Sequence, residues 1–390
     1  MGLSVVDEIE RDRVTLAING KLYNYWLDES VCAGISRFAR DFKMSVTREW
    51  PEGLDELKSI REGDKVEVRI GDDLVATCYV DATPISYDES SITIDIEGRS
   101  KTADLIDCSA TNKPAQWKGA TLATIVKALS AEYGVDVVVD FDDKEVIKEF
   151  QLERGDSPFD AIDKLRKQRN LIICDDAEGR VVIAKIGQYK ADDKLELGKN
   201  IKRASCPKDF KDVYNEYIVI GQKSGDGKSN AKEHNSETKE SDTVFKRKRV
   251  LYIKQSGNAD MRACIDRAKY ERQSRFAKAH EVTLTVRGWR QTSGELWKPN
   301  MIVQYVDPVL GFEREMLIVE CEYRVSTSGT ETVMKIGLPD GYSAEPYVAK
   351  EAKNKAKKSS NKKPSGSARK GRAQGGGAWS DVVGIDEVDE

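Results

Sequence analysis

Alternating apolar and polar positions organise most of this chain. From Val282 to Arg287, Val282, Leu284 and Val286 alternate with Thr283, Thr285 and Arg287, the period of two expected of a strand with one buried face. Three further β-type runs follow before Tyr342, set apart by Ser293-Gly294, Lys298-Pro299-Asn300, Asp307-Pro308 and Ser328-Gly329, all of them turn chemistry. Successive strands on short turns predict an antiparallel meander that closes into a small barrel or sandwich. The amino-terminal part repeats the pattern. D-R-V-T-L-A-I-N-G-K-L-Y turns at Asn19-Gly20, F-K-M-S-V-T-R-E-W alternates, a second hairpin turns at Gly71-Asp72-Asp73, and Ser91 to Ser100 adds a strand.

Between these regions the period lengthens. Leu122, Ile125, Val126 and Leu129 fall at i, i+3, i+4 and i+7, and Gly134 stops the helix they predict. Ser157 and Pro158 suit the N-cap and first turn of a second helix carrying Phe159, Ile162 and Leu165, and a hairpin around Ala177-Glu178-Gly179 follows. A third helix, over residues 260–279, offers Met261, Ile265, Ala268 and Arg272 as one row.

The expected architecture is mainly β with α+β insertions: a β-barrel-like domain over 1–110, a small α+β domain over 111–198, and a second barrel-like domain over 199–346. The last holds a polar loop at 223–243. Residues 347–390 read as a flexible tail.

Charge changes the picture only locally. Sixty-three basic and 67 acidic residues nearly cancel, so the chain as a whole is no nucleic-acid binder by charge. The tail is different. Residues 350–372 are strongly basic, and Lys357, Lys358, Lys362, Lys363, Arg369, Lys370 and Arg372 are candidate polyanion contacts. The acidic end carries Trp379, Val382, Val383 and Ile385, a candidate docking motif on a tether. The run from Phe245 to Arg249 is a second basic feature, better read as an edge strand guarded by charge.

Catalytic chemistry is hard to place. Only His234 and His280 are available, the seven cysteines show no C-x-x-C, and Gly227-Lys228-Ser229 lacks the earlier glycine of a phosphate loop because that position is Gln222. No cofactor, metal or catalytic residue is expected. With no apolar run near the ~20 residues that cross a bilayer and no basic, apolar leader, membrane insertion is not expected, and the scattered thiols suit a reducing cytoplasm.

Several segments together resemble the baseplate hub proteins of Mu-like contractile-tailed phages, a family related to the hub part of type VI secretion spikes. They are Gly63-Asp64-Lys65-Val66 with Tyr79-Val80-Asp81; G-R-S-K-T-A-D-L-I-D-C-S-A from Gly98; G-D-S-P-F-D-A-I-D-K-L from Gly155; and R-A-K-Y-E-R-Q-S-R-F-A-K-A leading into V-R-G-W and G-E-L-W-K-P-N. The resemblance spans residues 5–345 in order. It implies a virion protein assembled in the host cytoplasm, a homotrimer whose six barrel-like domains form a ring around the DNA channel. The implied partners are a trimeric membrane-piercing spike, the tail tube or tape-measure protein and baseplate wedge proteins, with DNA only in passage. Two other readings compete: a nucleic-acid-binding protein using small barrels and the basic tail, and a tail-associated cell-wall hydrolase.

Overall fold

Asn19 and Gly20 adopt φ of 51° and 77°, the left-handed pair that a two-residue hairpin requires. They join β1 (Val14–Ile18) to β2 (Lys21–Tyr23). The structure is a computed structural model, and it describes residues 12–24, 26, 28–49, 60–169, 171–222, 235–243, 246–255, 261–326 and 329–342.

The first β unit continues with β3 (Asp28–Gly34), β4 (Asp41–Glu49), β5 (Lys65–Ile70), β6 (Asp73–Ala82), β7 (Ile85–Tyr87) and β8 (Ser91–Ser100). Their inward residues, among them Leu16, Phe42, Met44, Val66 and Ile96, are fully or almost fully buried. Gly98 is dictated by space: a Cβ there would lie 2.1 Å from the Tyr79 carbonyl and 2.6 Å from the Phe42 ring.

The α+β unit holds β9 (Gln116–Thr121), helix α1 (Leu122–Ala131), β10 (Val137–Val139), β11 (Val146–Gln151), helix α2 (Pro158–Arg169), β12 (Ile172–Asp175) and β13 (Val181–Ala184). Thr121 Oγ1 caps α1 by accepting from the Thr124 amide at 3.3 Å. At α2 the cap is reciprocal. Ser157 Oγ accepts from the Asp160 amide at 3.1 Å while Asp160 Oδ2 accepts from the Ser157 amide at 3.0 Å. Leu122, Ile125, Val126 and Leu129 of α1 pack with Ile162 and Leu165 of α2 in a core of their own.

Short strands β14 (Tyr189–Lys190) and β15 (Leu195–Glu196) lead into the second β unit, which comprises β16 (Ile201–Ser205), β20 (Val282–Arg287), β21 (Met301–Asp307), β22 (Phe312–Ser326) and β23 (Gly329–Gly337). An insertion between β16 and β20 forms a separate sheet of β17 (Glu216–Gln222), β18 (Asn235–Ser241) and β19 (Val250–Gln255), covered by helix α3 (Met261–Ala279).

Three expectations need correction. The carboxy-terminal strands are not a meander: β20 pairs with β16 and β23, and β21 joins through β22. This leaves Ser293-Gly294, Lys298-Pro299-Asn300 and Pro308 between strands, with Ser328 outside the described residues, but sends the chain across the sheet after β20. Residues 235–241 of the supposed polar loop form β18, because their backbone completes a ladder with β17 despite the polar side chains; residues 223–234 lie outside the described residues. The buried row of α3 is Cys264, Ala268, Glu271 and Ser274, whereas Met261 is largely exposed. Glu271 can be buried there because Arg267 and Arg275, one turn to either side, donate to it at 2.6 and 2.8 Å.

The two β units share one order. Taking β3, β4, β5, β6 and β8 as first to fifth, the sheet runs first-second-fifth-fourth-third, and β16, β20, β21, β22 and β23 do the same. All these neighbours are antiparallel. Both fourth strands carry a register shift against the fifth, between Val80 and Ala82 and between Ile318 and Glu320. The second unit repeats the first.

Candidate assembly surface

The repeated units are joined edge to edge. β22 continues past β21 and pairs with β3 from Glu320↔Gly34 to Val325↔Glu29, so a single fifteen-stranded sheet runs through both units. Opposed residues of an antiparallel pair share a face. Cys321 and Tyr323 therefore meet Ala33 and Val31 in the common core, all nearly fully buried. Gly34 allows the approach, since a Cβ on it would sit 3.1 Å from the Val319 carbonyl.

Polar groups on the other face fasten the junction. Arg37 Nε donates to Glu320 Oε2 at 3.2 Å, and its Nη1 also reaches Asp41. On the same outward side Lys43 bonds Glu97 at 2.6 Å, Arg324 pairs with Glu322 at 2.7 Å, and Arg99 bridges Asp81 and Asp107 at 2.6 and 2.7 Å. The result is a face of mixed sign in which these cations are held by carboxylates. A second link lies at the far side of the units, where Arg290 donates to Asp12 at 3.0 Å, Asp73 at 2.5 Å and the Ile70 carbonyl at 3.0 Å.

Arg40 ties in the α+β unit. Its Nε and Nη2 donate to Asp175 Oδ1 and the Asp175 carbonyl at 3.3 and 3.2 Å, its Nη1 donates to the Val75 carbonyl at 2.6 Å, and its amide donates to Asp175 Oδ2 at 2.9 Å. Burial pushes the Asp175 carboxyl above its usual range, against the opposing pull of Arg40 and Ser100. Nearby, Phe38 from the β3–β4 turn meets Phe159 of α2 with ring centroids 4.8 Å apart and the planes tilted by 51°. Where the three units meet, a cavity of about 570 Å³ is lined by Arg40, Asp175, Asn300 and Tyr323 among others.

Glu29 marks the end of the junction. It is 9 % exposed and has one carboxylate oxygen without a hydrogen-bond partner. Burial raises its carboxyl to about 8. The two tryptophans of the carboxy-terminal unit are core residues: Trp289 and Trp297 are buried, and Trp289 Nε1 donates to the Glu331 carbonyl at 3.0 Å.

The residues singled out in the tail, Trp379, Val382, Val383 and Ile385 together with Lys357, Lys358, Lys362, Lys363, Arg369, Lys370 and Arg372, lie outside the described residues, as do Phe245 and His234. Lys246, Arg247 and Lys248 are exposed and precede β19 rather than forming it. Among the described residues no cluster of His, Cys, Asp and Glu is composed to hold a metal, and no helix is long and apolar enough to cross a membrane. Sequence reasoning missed β16, Glu29 and the β3–β22 pairing. Only Gly34 hints at close approach, and a lone glycine is a weak sign.

A repeated β unit with a shared sheet and an α+β insertion is an architecture this chain shares with phage tail proteins. Three family models match in order: the GpP-like amino-terminal domain of Mu phage baseplate assembly protein over residues 13–100, the second domain of baseplate hub protein gp44-like chains over 102–185, and the fourth domain of Mu phage baseplate assembly protein GpP over 260–345. The chain is 32% identical to baseplate hub protein gp44 of Escherichia phage Mu over 301 residues, covering 74% of this chain and 78% of that protein. It belongs to the Mu-type baseplate hub family and is a structural part of the virion tail. The 43 kDa tail protein of prophage MuSo2 from Shewanella oneidensis superposes with a TM-score of 0.76 at 29% identity, covering 85% of this chain and 99% of that one. A PdpA–VgrG complex from Francisella shares the fold alone, with a TM-score of 0.53 at 12% identity over 87% of this chain and 60% of that one.

Proposed function

We propose that three copies close into the central ring of a contractile-tail baseplate, linking the tail tube to the membrane-piercing spike and surrounding the DNA channel. The observation that carries this reading is the repeated β unit, joined within the chain by strand pairing. A unit that already extends its sheet into a copy of itself can continue round a closed ring, and closure removes the exposed edges that invite aggregation. In this reading residues 1–110 and 199–346 are the two wall domains, 111–198 a decoration and 347–390 a tether. The partners are a trimeric spike, the tube or tape-measure protein and wedge proteins. The task is structural, not catalytic. A face whose cations are already paired suits DNA in passage, because few charges are left to grip phosphates. Light scattering of the purified protein should give about three times 43.6 kDa, and negative-stain images should show three-fold rings with a central hole. A monomer at assembly concentrations overturns the ring.

A further inference from the structure

The fold leaves two matching edges unused. β16 pairs only through its β20 side over Arg203–Ser205, and β7 pairs only with β8, with no strand among the described residues on the outer edge of either. β7 is also oddly apolar for an exposed strand, with Ile85 and Tyr87 exposed by 50% and 78%. They stand opposite the buried Ile94 and Ile92 on the inward face of the sheet.

The internal repeat says what fits there. In the intrachain junction, the fourth strand of the second unit (β22) takes the first strand of the first unit (β3). The vacant counterparts are the end of the fourth strand of the first unit, continued as β7, and the first strand of the second unit, β16. We propose that β7 of one copy pairs antiparallel with β16 of the next, which closes the ring through the same contact that joins the units within a chain. This rests on the ring reading and adds its interface.

The registers fix the pairing further. Matching the two bulges sets Ala82 against Glu320, and the ladders to the fifth strands then set Ile85, Ser86 and Tyr87 against Tyr323, Arg324 and Val325. On the other side, the ladders through β4 and β20 set Glu29, Ser30 and Val31 against Ala204, Ser205 and Cys206. Because Tyr323 faces Val31, Arg324 faces Ser30 and Val325 faces Glu29, Ile85 faces Cys206, Ser86 faces Ser205 and Tyr87 faces Ala204 in the next copy. The chemistry agrees: Ala204 and Cys206 pack, partly buried, against the main core, and Ile85 and Tyr87 would extend it. The charges beyond the pairing are of opposite sign, Asp88 and Glu89 past β7 against Lys202 and Arg203 on β16, both of which also pair with Glu331 within the chain. The contact is heterologous, which a cyclic trimer requires.

The test is a full-length Ser86→Cys/Ser205→Cys variant in a Cys206→Ser background, treated with a short bis-maleimide, which adds one thiol at each end, and run under denaturing conditions. Opposed residues bring their Cβ atoms to about 5 Å, so the pair should yield covalent dimers and trimers, whereas each single variant should give only background. An Ile85→Asp/Tyr87→Asp variant, altered at exposed positions, should keep its circular dichroism and melting point while its trimer dissociates at protein concentrations at least tenfold higher than wild type. A trimeric double-cysteine protein that crosslinks no better than the single variants overturns the β7–β16 pairing and leaves the ring intact. Wild-type protein that stays monomeric overturns both.

Discussion

Glu29 shows how one side chain can set a pH dependence. Its carboxyl titrates near 8 in the folded chain against an ordinary value of 4.5, so between those values the native state holds a proton that the unfolded chain has lost. Stability from this site is complete below about 4.5 and is lost as pH rises towards the folded value, at on the order of 1 kcal/mol per pH unit. Glu29→Gln should flatten that slope, and denaturant titrations at the two ends of the window will show it; parallel wild-type and variant curves would refute the assignment. Gly98 makes a steric prediction. Alanine there drives a methyl into the Tyr79 carbonyl and the Phe42 ring, and should cost at least about 1–3 kcal/mol of stability, read as a drop in melting temperature. Both residues are silent in the sequence. A glutamate near the start of a strand reads as solvated, and Gly98 near the end of the Ser91–Ser100 strand gives no sign of a space requirement.

At the level of elements, local chemistry was legible and long-range pairing was not. The Asn19-Gly20 hairpin, the cap at Ser157 and the stop at Gly134 depend on neighbouring residues, and each stands where its residues put it, Gly134 with φ of 63°. The β3–β22 junction joins strands nearly three hundred residues apart, and no local period carries that information. The repeat was equally hidden: corresponding inward positions such as Phe42 and Val282, or Ile96 and Met334, keep only their apolar character. Arg40 is the element-level test. Arg40→Ala leaves Asp175, 4% exposed, without its cation and should destabilise the protein by about 3–5 kcal/mol. Replacing both by apolar residues of similar size should recover much of that loss. Calorimetry of the three variants checks it, and a fully additive double variant would sink the idea of a coupled pair.

For the whole molecule, the tail provides the cleanest separation of readings. Deleting residues 350–372 removes ten basic side chains against one acid. In the hub reading the shortened chain still forms trimers. A chain that works by gripping nucleic acid would instead lose its salt-dependent binding altogether. Sedimentation with and without a short DNA duplex, at low and physiological salt, distinguishes the two.

The insertion between β16 and β20 has one more consequence. In the first unit the corresponding strands β3 and β4 are joined by only the short turn from Ile35 to Arg40, while in the second the same step carries β17, β18, β19 and α3. The backbone wall repeats with every unit, but this outgrowth appears only on alternate ones. The ring proposed above would therefore carry six-fold order along its strands and three-fold order in what projects from them, so it could meet a six-fold neighbour through its wall and a three-fold neighbour through its outgrowths.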